Sequence, residues 1–199
     1  IDEMDEKQAL TLCRTAEWLT RQKLSGTIEL YRPVKVQTGR TPRQTGARRI
    51  RRTNVMKRIG ILGAGTWGMA LARMLTVSGN DVLVWSAIEK EIDSLSTTRK
   101  HPNLPQMKIP DELRFTKSIE EVCKDKDILL FAVPSVFVRS TAAKARPYVA
   151  DGQIIVDVAK GIEPDTLYTM TEILADELGK EGGPKGVRLV ALSGPTHAE

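Results

Sequence analysis

The sequence predicts a doubly wound α/β domain, built on a mainly parallel sheet, over residues 56–199. Three observations carry that prediction. Short β-branched and apolar runs alternate with stretches of helical periodicity. The runs are apolar almost throughout rather than at every second residue, as expected of strands covered on both faces. A glycine frame stands between the first run and the first helical stretch.

The strand runs are 58–62 (RIGIL), 82–85 (VLVW), 113–116 (LRFT), 128–133 (ILLFAV), 154–158 (IIVDV) and 187–192 (VRLVAL). Each joins branched or large apolar residues and stops within two residues of a Gly, Pro, Ser or Lys, which is the composition and length of a buried strand. Helical periodicity occupies 67–78, 88–98, 118–124, 135–146 and 165–179, while HPNLPQMKIP at 101–110 is too rich in proline for either state and predicts a loop.

Residues 1–55 read as an N-terminal extension. Leu12, Ala16 and Leu19 stand at helical spacing within 4–24, with Ser25-Gly26 as a stop, so one short amphipathic helix is expected there. The segment 32–55 is rich in Arg, Thr, Gly and Pro and poor in apolar residues, which predicts a partly disordered basic linker. Met56-Lys57-Arg58 leads straight into IGIL, so Met56 is a candidate natural initiator.

The net charge of +5 is local to that linker. Residues 32–58 hold ten basic side chains and no acid, residues 1–31 sum to −2 and residues 59–199 to −3. A polyanion-binding surface is therefore not implied for the domain. The basic stretch reads as a solvated tail in preference to a nucleic-acid-binding arm. The longest apolar run, Ile128–Val133, is far below the roughly 18 residues of a bilayer span. Four acids among the first six residues argue against a secretory signal. Cys13 and Cys123 fit neither a zinc nor a disulfide spacing, which favours a reducing, cytoplasmic setting and no metal.

The chemistry concentrates where strands end. Gly63, Gly65 and Gly68 lie on a GxGxxG frame: the first for a tight turn, the second for close approach of a pyrophosphate, the third for close packing of helix on strand. A helix N-terminus then faces the phosphates. AVPS (132–135), AKGIE (159–163) and SGPTHAE (193–199) follow the last three strands, and in a parallel sheet Gly63, Pro134, Lys160 and Gly194 should gather at one edge. A lone Lys is usually solvent-facing, but Lys160 in this place is suited to hold a phosphate or polarise a carbonyl.

The second strand runs out through Trp85-Ser86-Ala87 without the Asp or Glu that usually reads a ribose, and without an Arg for a 2′-phosphate, so NAD and NADP both stay open. Glu89, the first carboxylate after it, is expected within the next helix. Ser193, Thr196 and His197 do not form a nucleophile elbow, and the only other histidine, His101, lies in the Pro-rich loop. His197 reads either as a general base or, after Pro195, as a helix-start residue.

GAGTWGMALA, the tryptophan that closes strand two, NLPQMKIPDELRFT, AVPS, AKGIE and SGPTHAE occur in one order and spacing. Together they resemble the N-terminal, Rossmann-type domain of the bacterial-type NAD(P)-dependent glycerol-3-phosphate dehydrogenases over residues 56–199. The resemblance implies interconversion of sn-glycerol 3-phosphate and dihydroxyacetone phosphate, with hydride passing between nicotinamide and substrate C2, in supply of phospholipid synthesis. It implies cofactor contacts from Gly63, Gly65, Thr66, Trp67, Gly68, Pro134, Lys160 and Ala198, and substrate contacts from Lys160, Gly194 and Thr196. The family's proton acceptor is a lysine of a helical C-terminal domain, expected beyond Glu199. A homodimer of that longer protein is the accompanying expectation. The chain departs from the family at Ala87, where a basic residue is common, and at Asn103 and Gln106, where YLPG is usual. A two-domain reductase of another small acid, and a non-catalytic dinucleotide module with a nucleic-acid-binding arm, are the competing readings.

Overall fold

A computed structural model describes residues 56–193, which form one six-stranded parallel sheet with helices on both faces. The expected helix 4–24 and linker 32–55 lie outside the described residues. The strands are β1 (Arg58–Leu62), β2 (Asp81–Trp85), β3 (Arg114–Thr116), β4 (Ile128–Phe131), β5 (Ile154–Asp157) and β6 (Arg188–Ala191). The helices are α1 (Thr66–Val77), α2 (Glu89–Thr98), α3 (Ile119–Cys123), α4 (Val138–Ala145) and α5 (Met170–Leu178). Sheet order is β3-β2-β1-β4-β5-β6, every pair parallel.

The strands alternate between two dry faces, as the period of two requires. Leu62, Leu83, Trp85, Leu129, Phe131 and Ile155 pack with Val122, Val138, Ile173 and Leu174 of α3, α4 and α5. Ile59, Ile61, Val82, Val84, Leu130 and Val156 point the other way and are also buried, on the side covered by α1 and α2. With both faces occupied, the buried strand positions hold only two polar residues, Asp157 at the end of β5 and Thr116 at the end of β3, each under 9% exposed; the charged Arg58, Asp81, Arg114 and Arg188 stand at strand starts, outside the core.

Two expected elements are corrected. The helical stretch 165–179 begins only at Met170, because Thr169 and Glu172 form a capping box that starts α5 there, and Leu167 sits at φ 58°. The stretch 135–146 is broken into a 3-10 turn at Ser135–Phe137, α4, and a second 3-10 turn at Arg146–Tyr148 that carries Pro147. Four strands, β3 to β6, are also shorter than their apolar runs. Val133 is buried beyond the end of β4, since packing in the turn can use an apolar residue as well as pairing can.

The Pro-rich loop 101–110 is held from beneath. Arg73 Nε donates to the Lys108 carbonyl at 3.1 Å, and Arg99, in left-handed conformation after α2, donates to the carbonyls of Leu113 and Asp111 at 2.7 and 2.8 Å. His101 is buried, and its Nδ1 accepts the Asn103 backbone N–H at 3.2 Å.

Candidate functional site

The order of strands reverses direction between β1 and β4, the point at which doubly wound sheets place a ligand crevice beyond their carboxyl edge. The glycine loop stands at that point. The Gly63 N–H donates to the Trp85 carbonyl at 2.8 Å and Ala132 N–H to the Leu62 carbonyl at 2.8 Å, so the loop is fastened to the ends of both neighbouring strands.

Its three glycines are required for different reasons. Gly63 has φ 123°, and a Cβ there would lie 2.5 Å from the Ala132 carbonyl oxygen. A Cβ on Gly68 would lie 2.2 Å from the Gly63 carbonyl oxygen, so only glycine lets α1 approach the strand this closely. Gly65 differs: its φ of −64° suits any residue, and nothing lies within 4 Å of the Cβ position. It stands as N-cap of α1, whose first turn carries no acid and receives no side-chain cap. The first-turn N–H groups therefore form a dipolar, uncapped anion-binding end, and the glycine keeps the approach to it clear. Thr66 is exposed beside it and its Oγ1 accepts the Asn103 Nδ2 at 3.2 Å; Trp67 is half-buried.

The loops after β4 and β5 meet on the other side of the crevice. Pro134 is exposed and opens the 3-10 turn, and Ser135 lies 3.5 Å from the position a Gly161 Cβ would take. Arg139 of α4 forks onto Glu163 of AKGIE, Nε to Oε1 at 2.8 Å and Nη2 to Oε2 at 2.7 Å, and also binds Asp176 of α5. The guanidinium, together with a hydrogen bond from Thr166, holds the Glu163 carboxyl down to about 2, and the same contacts push Arg139 upward. Glu177, nearly buried, takes Arg146 at 3.1 Å and Lys180 at 2.5 Å. A planar fork on a carboxylate fixes orientation as well as distance. Arg139→Ala is expected to lower the melting temperature by roughly 3 °C or more, with Arg139→Lys in between because lysine cannot fork; differential scanning calorimetry checks it.

Lys160 is exposed on the AKGIE loop. It borders a concavity of about 300 Å³ with Asp157, Gly161, Thr169, Thr171 and Ser193. Asp157 is the residue that sequence reasoning passed over. It is 3% exposed, its Oδ1 accepts the Ala159 N–H at 3.2 Å, and burial pushes its carboxyl up to about 6 against that hydrogen bond. The one signal available was an acid inside an otherwise apolar run, IIVDV. Gly63, Gly65, Thr66, Trp67, Gly68 and Pro134 are thus found along one edge of the sheet with Lys160, while Gly194, Thr196, His197 and Ala198 lie outside the described residues. Among the described residues, no cluster of three or more His, Cys, Asp or Glu could hold a metal, and no helix is long and apolar enough to cross a membrane.

A six-stranded parallel sheet ordered in this way, with a glycine loop at its reversal, defines a Rossmann-type domain. The chain belongs to the family described as NAD-dependent glycerol-3-phosphate dehydrogenase N-terminus, whose profile matches residues 58–199. It is 67% identical over 144 residues to glycerol-3-phosphate dehydrogenase (NAD(P)+) 2 of Lactobacillus delbrueckii subsp. bulgaricus, a match covering 72% of this chain and 43% of that protein. A glycerol-3-phosphate dehydrogenase (NAD(P)+) of Bacillus subtilis is 38% identical over 147 residues, covering 72% and 41%. Among solved structures, a glycerol-3-phosphate dehydrogenase from Coxiella burnetii superposes with a TM-score of 0.60 at 28% identity, over 70% of this chain and 41% of that one. A UDP-glucose dehydrogenase from Pyrobaculum islandicum, with a TM-score of 0.56 at 21% identity over 71% and 36%, shares the fold. The chain spans about two-fifths of the length of the curated relatives it matches.

Proposed function

We propose that this chain is the nicotinamide-dinucleotide-binding part of an enzyme interconverting sn-glycerol 3-phosphate and dihydroxyacetone phosphate, with NAD or NADP, in supply of phospholipid synthesis. The observation that carries the reading is the glycine loop: Gly63 and Gly68 closed by their own backbone neighbours, Gly65 open above an uncapped helix end. That cradle fits a pyrophosphate. Gly63, Gly65, Thr66, Trp67 and Gly68 would hold it from one side and Pro134 would border it from the β4 loop. The bound nicotinamide supplies or accepts the hydride.

Lys160 is placed to serve cofactor and substrate together. Its ammonium would hold the substrate's phosphate or steady negative charge on the C2 oxygen, a preorganised electrostatic role. The Arg139–Glu163 fork fixes the loop that presents it. Gly194 and Thr196 would border the substrate and Ala198 the cofactor. The proton acceptor belongs in this reading to the part of the longer relatives that the chain does not span. The free, buried thiol of Cys123 is consistent with a cytoplasmic setting.

The test is calorimetric titration of the chain with NADH, followed by the loss of NADH absorbance on adding dihydroxyacetone phosphate. Binding without turnover is expected from this chain, and turnover once it is continued into a second domain, because hydride transfer needs both walls of the site. Failure to bind NADH would overturn the reading. Turnover by this chain alone would place the proton acceptor within it, with His197 the first residue to replace.

A further inference from the structure

The sequence around β2 leaves the choice between the two dinucleotides open, yet the folded chain brings a carboxylate to the place that decides it. In Rossmann-type domains the adenosine ribose lies at the end of the second strand, where an acidic side chain accepts the ribose hydroxyls and repels a 2′-phosphate. Here β2 ends at Trp85, and the next residue, Ser86, is 7% exposed. The Ser86 Oγ donates to Oε2 of Glu91 at 2.5 Å and accepts the Ile88 N–H at 3.2 Å. Glu91 belongs to the first turn of α2, so it folds back onto the strand end from six positions beyond it. A carboxylate offers about four acceptor sites, and Ser86 occupies one.

The surrounding charges favour the same outcome. Glu89 and Glu91 both stand in the first turn of α2 and already satisfy its positive end, which leaves little there for a further anion. Ala87 and Ile88 are exposed and neutral. Lys90 lies in sequence between the two acids. Lys117, from the connection between β3 and α3, is engaged by Asp93 at 2.8 Å and Glu89 at 3.7 Å. This stretch, 85–93, has no arginine to fork onto a phosphate.

Resting on the dinucleotide reading above, we propose that Glu91, held on Ser86 at the end of β2, is a specificity residue. It accepts the adenosine ribose hydroxyls of NAD(H) and excludes the 2′-phosphate of NADP(H). A phosphate of about −1.5 to −2 charge would otherwise sit against a fixed carboxylate, with a cost set by like-charge repulsion and no compensating fork.

The experiment is titration of the 199-residue chain with NADH and with NADPH, and of ADP-ribose against its 2′-phosphorylated form, which probes the ribose without the nicotinamide. NADH and ADP-ribose are expected to bind about 10-fold or more tightly than their phosphorylated counterparts, the range of one charge-assisted hydrogen bond. Glu91→Gln keeps the shape and removes the charge, and should bring each ratio within about threefold, chiefly by tightening the phosphorylated ligand. Ala87→Arg, at an exposed position, should shift the ratio the same way by adding the missing fork. Equal or tighter binding of NADPH by the unmodified chain, or a ratio unchanged in Glu91→Gln, would overturn the proposal while leaving dinucleotide binding standing. Binding of none of the four ligands would overturn the dinucleotide reading and this proposal with it.

Discussion

Gly65→Val is expected to weaken NADH binding by about 10²-fold or more while leaving the melting temperature within about 2 °C of the unmodified chain. The two halves of that result come from one geometry. At φ −64° and ψ 176° a branched residue is unstrained, and with nothing within 4 Å of the Cβ position the new methyls meet no protein atom. They fill instead the approach to the first-turn N–H groups of α1, so any anion seated there must withdraw from its donors. Gly68→Ala provides the opposite control: its Cβ would fall 2.2 Å from the Gly63 carbonyl oxygen, forcing α1 off the strand. It should destabilise by about 2 kcal/mol or more through overpacking. Calorimetric titration and thermal melting on the same samples separate the two outcomes. Unchanged NADH affinity in Gly65→Val would put the dinucleotide elsewhere.

Asp157→Asn is expected to stabilise the chain at pH 8 by up to about 3 kcal/mol, an effect that vanishes near pH 4. Burial lifts the Asp157 carboxyl from its ordinary 3.8 to about 6. Between those values the folded chain retains a proton that the unfolded chain has released. Stability therefore falls as pH rises through that window, and the full cost is present above about pH 6. Asparagine keeps an oxygen to accept the Ala159 N–H at 3.2 Å and carries no charge to desolvate. Urea unfolding of both forms from pH 4 to pH 8 reads the difference; a gap that does not change with pH would show that Asp157 is not the group responsible.

The sequence made the sheet legible because burial on both faces leaves a plain signal: six apolar runs at the right spacing, each found as a strand with ends moved by two residues at most. The glycine frame was equally legible, since each glycine answers a local steric demand. What stayed hidden depended on distance in the chain. Glu91 reaches Ser86 only because α2 turns back over the end of β2, and Asn103 reaches Thr66 across 37 positions. Neither contact has a periodicity. The start of α5 was misplaced for a different reason: Thr169 and Glu172 form a capping box, and residues 165–169 carry enough helix-forming character to mask it. Asp157 was visible as a letter but not as a buried charge, because burial is a property of the neighbours that β4 and β6 supply.

The position of β1 in the sheet also governs the order in which the chain can fold. β1 pairs with β2 at once in sequence, Leu62 opposite Trp85, but its other edge waits for β4, where Leu62 meets Phe131. Closing that gap spans 69 positions of chain, and the two halves of the sheet join only at that seam. During synthesis the sequence IGIL therefore presents an open, apolar strand edge until residue 131 has emerged, a template on which a second nascent chain can pair. The step that unites the halves is non-local and hence slow. The same seam at which the strand order reverses is, for the newly made chain, its most exposed point to aggregation.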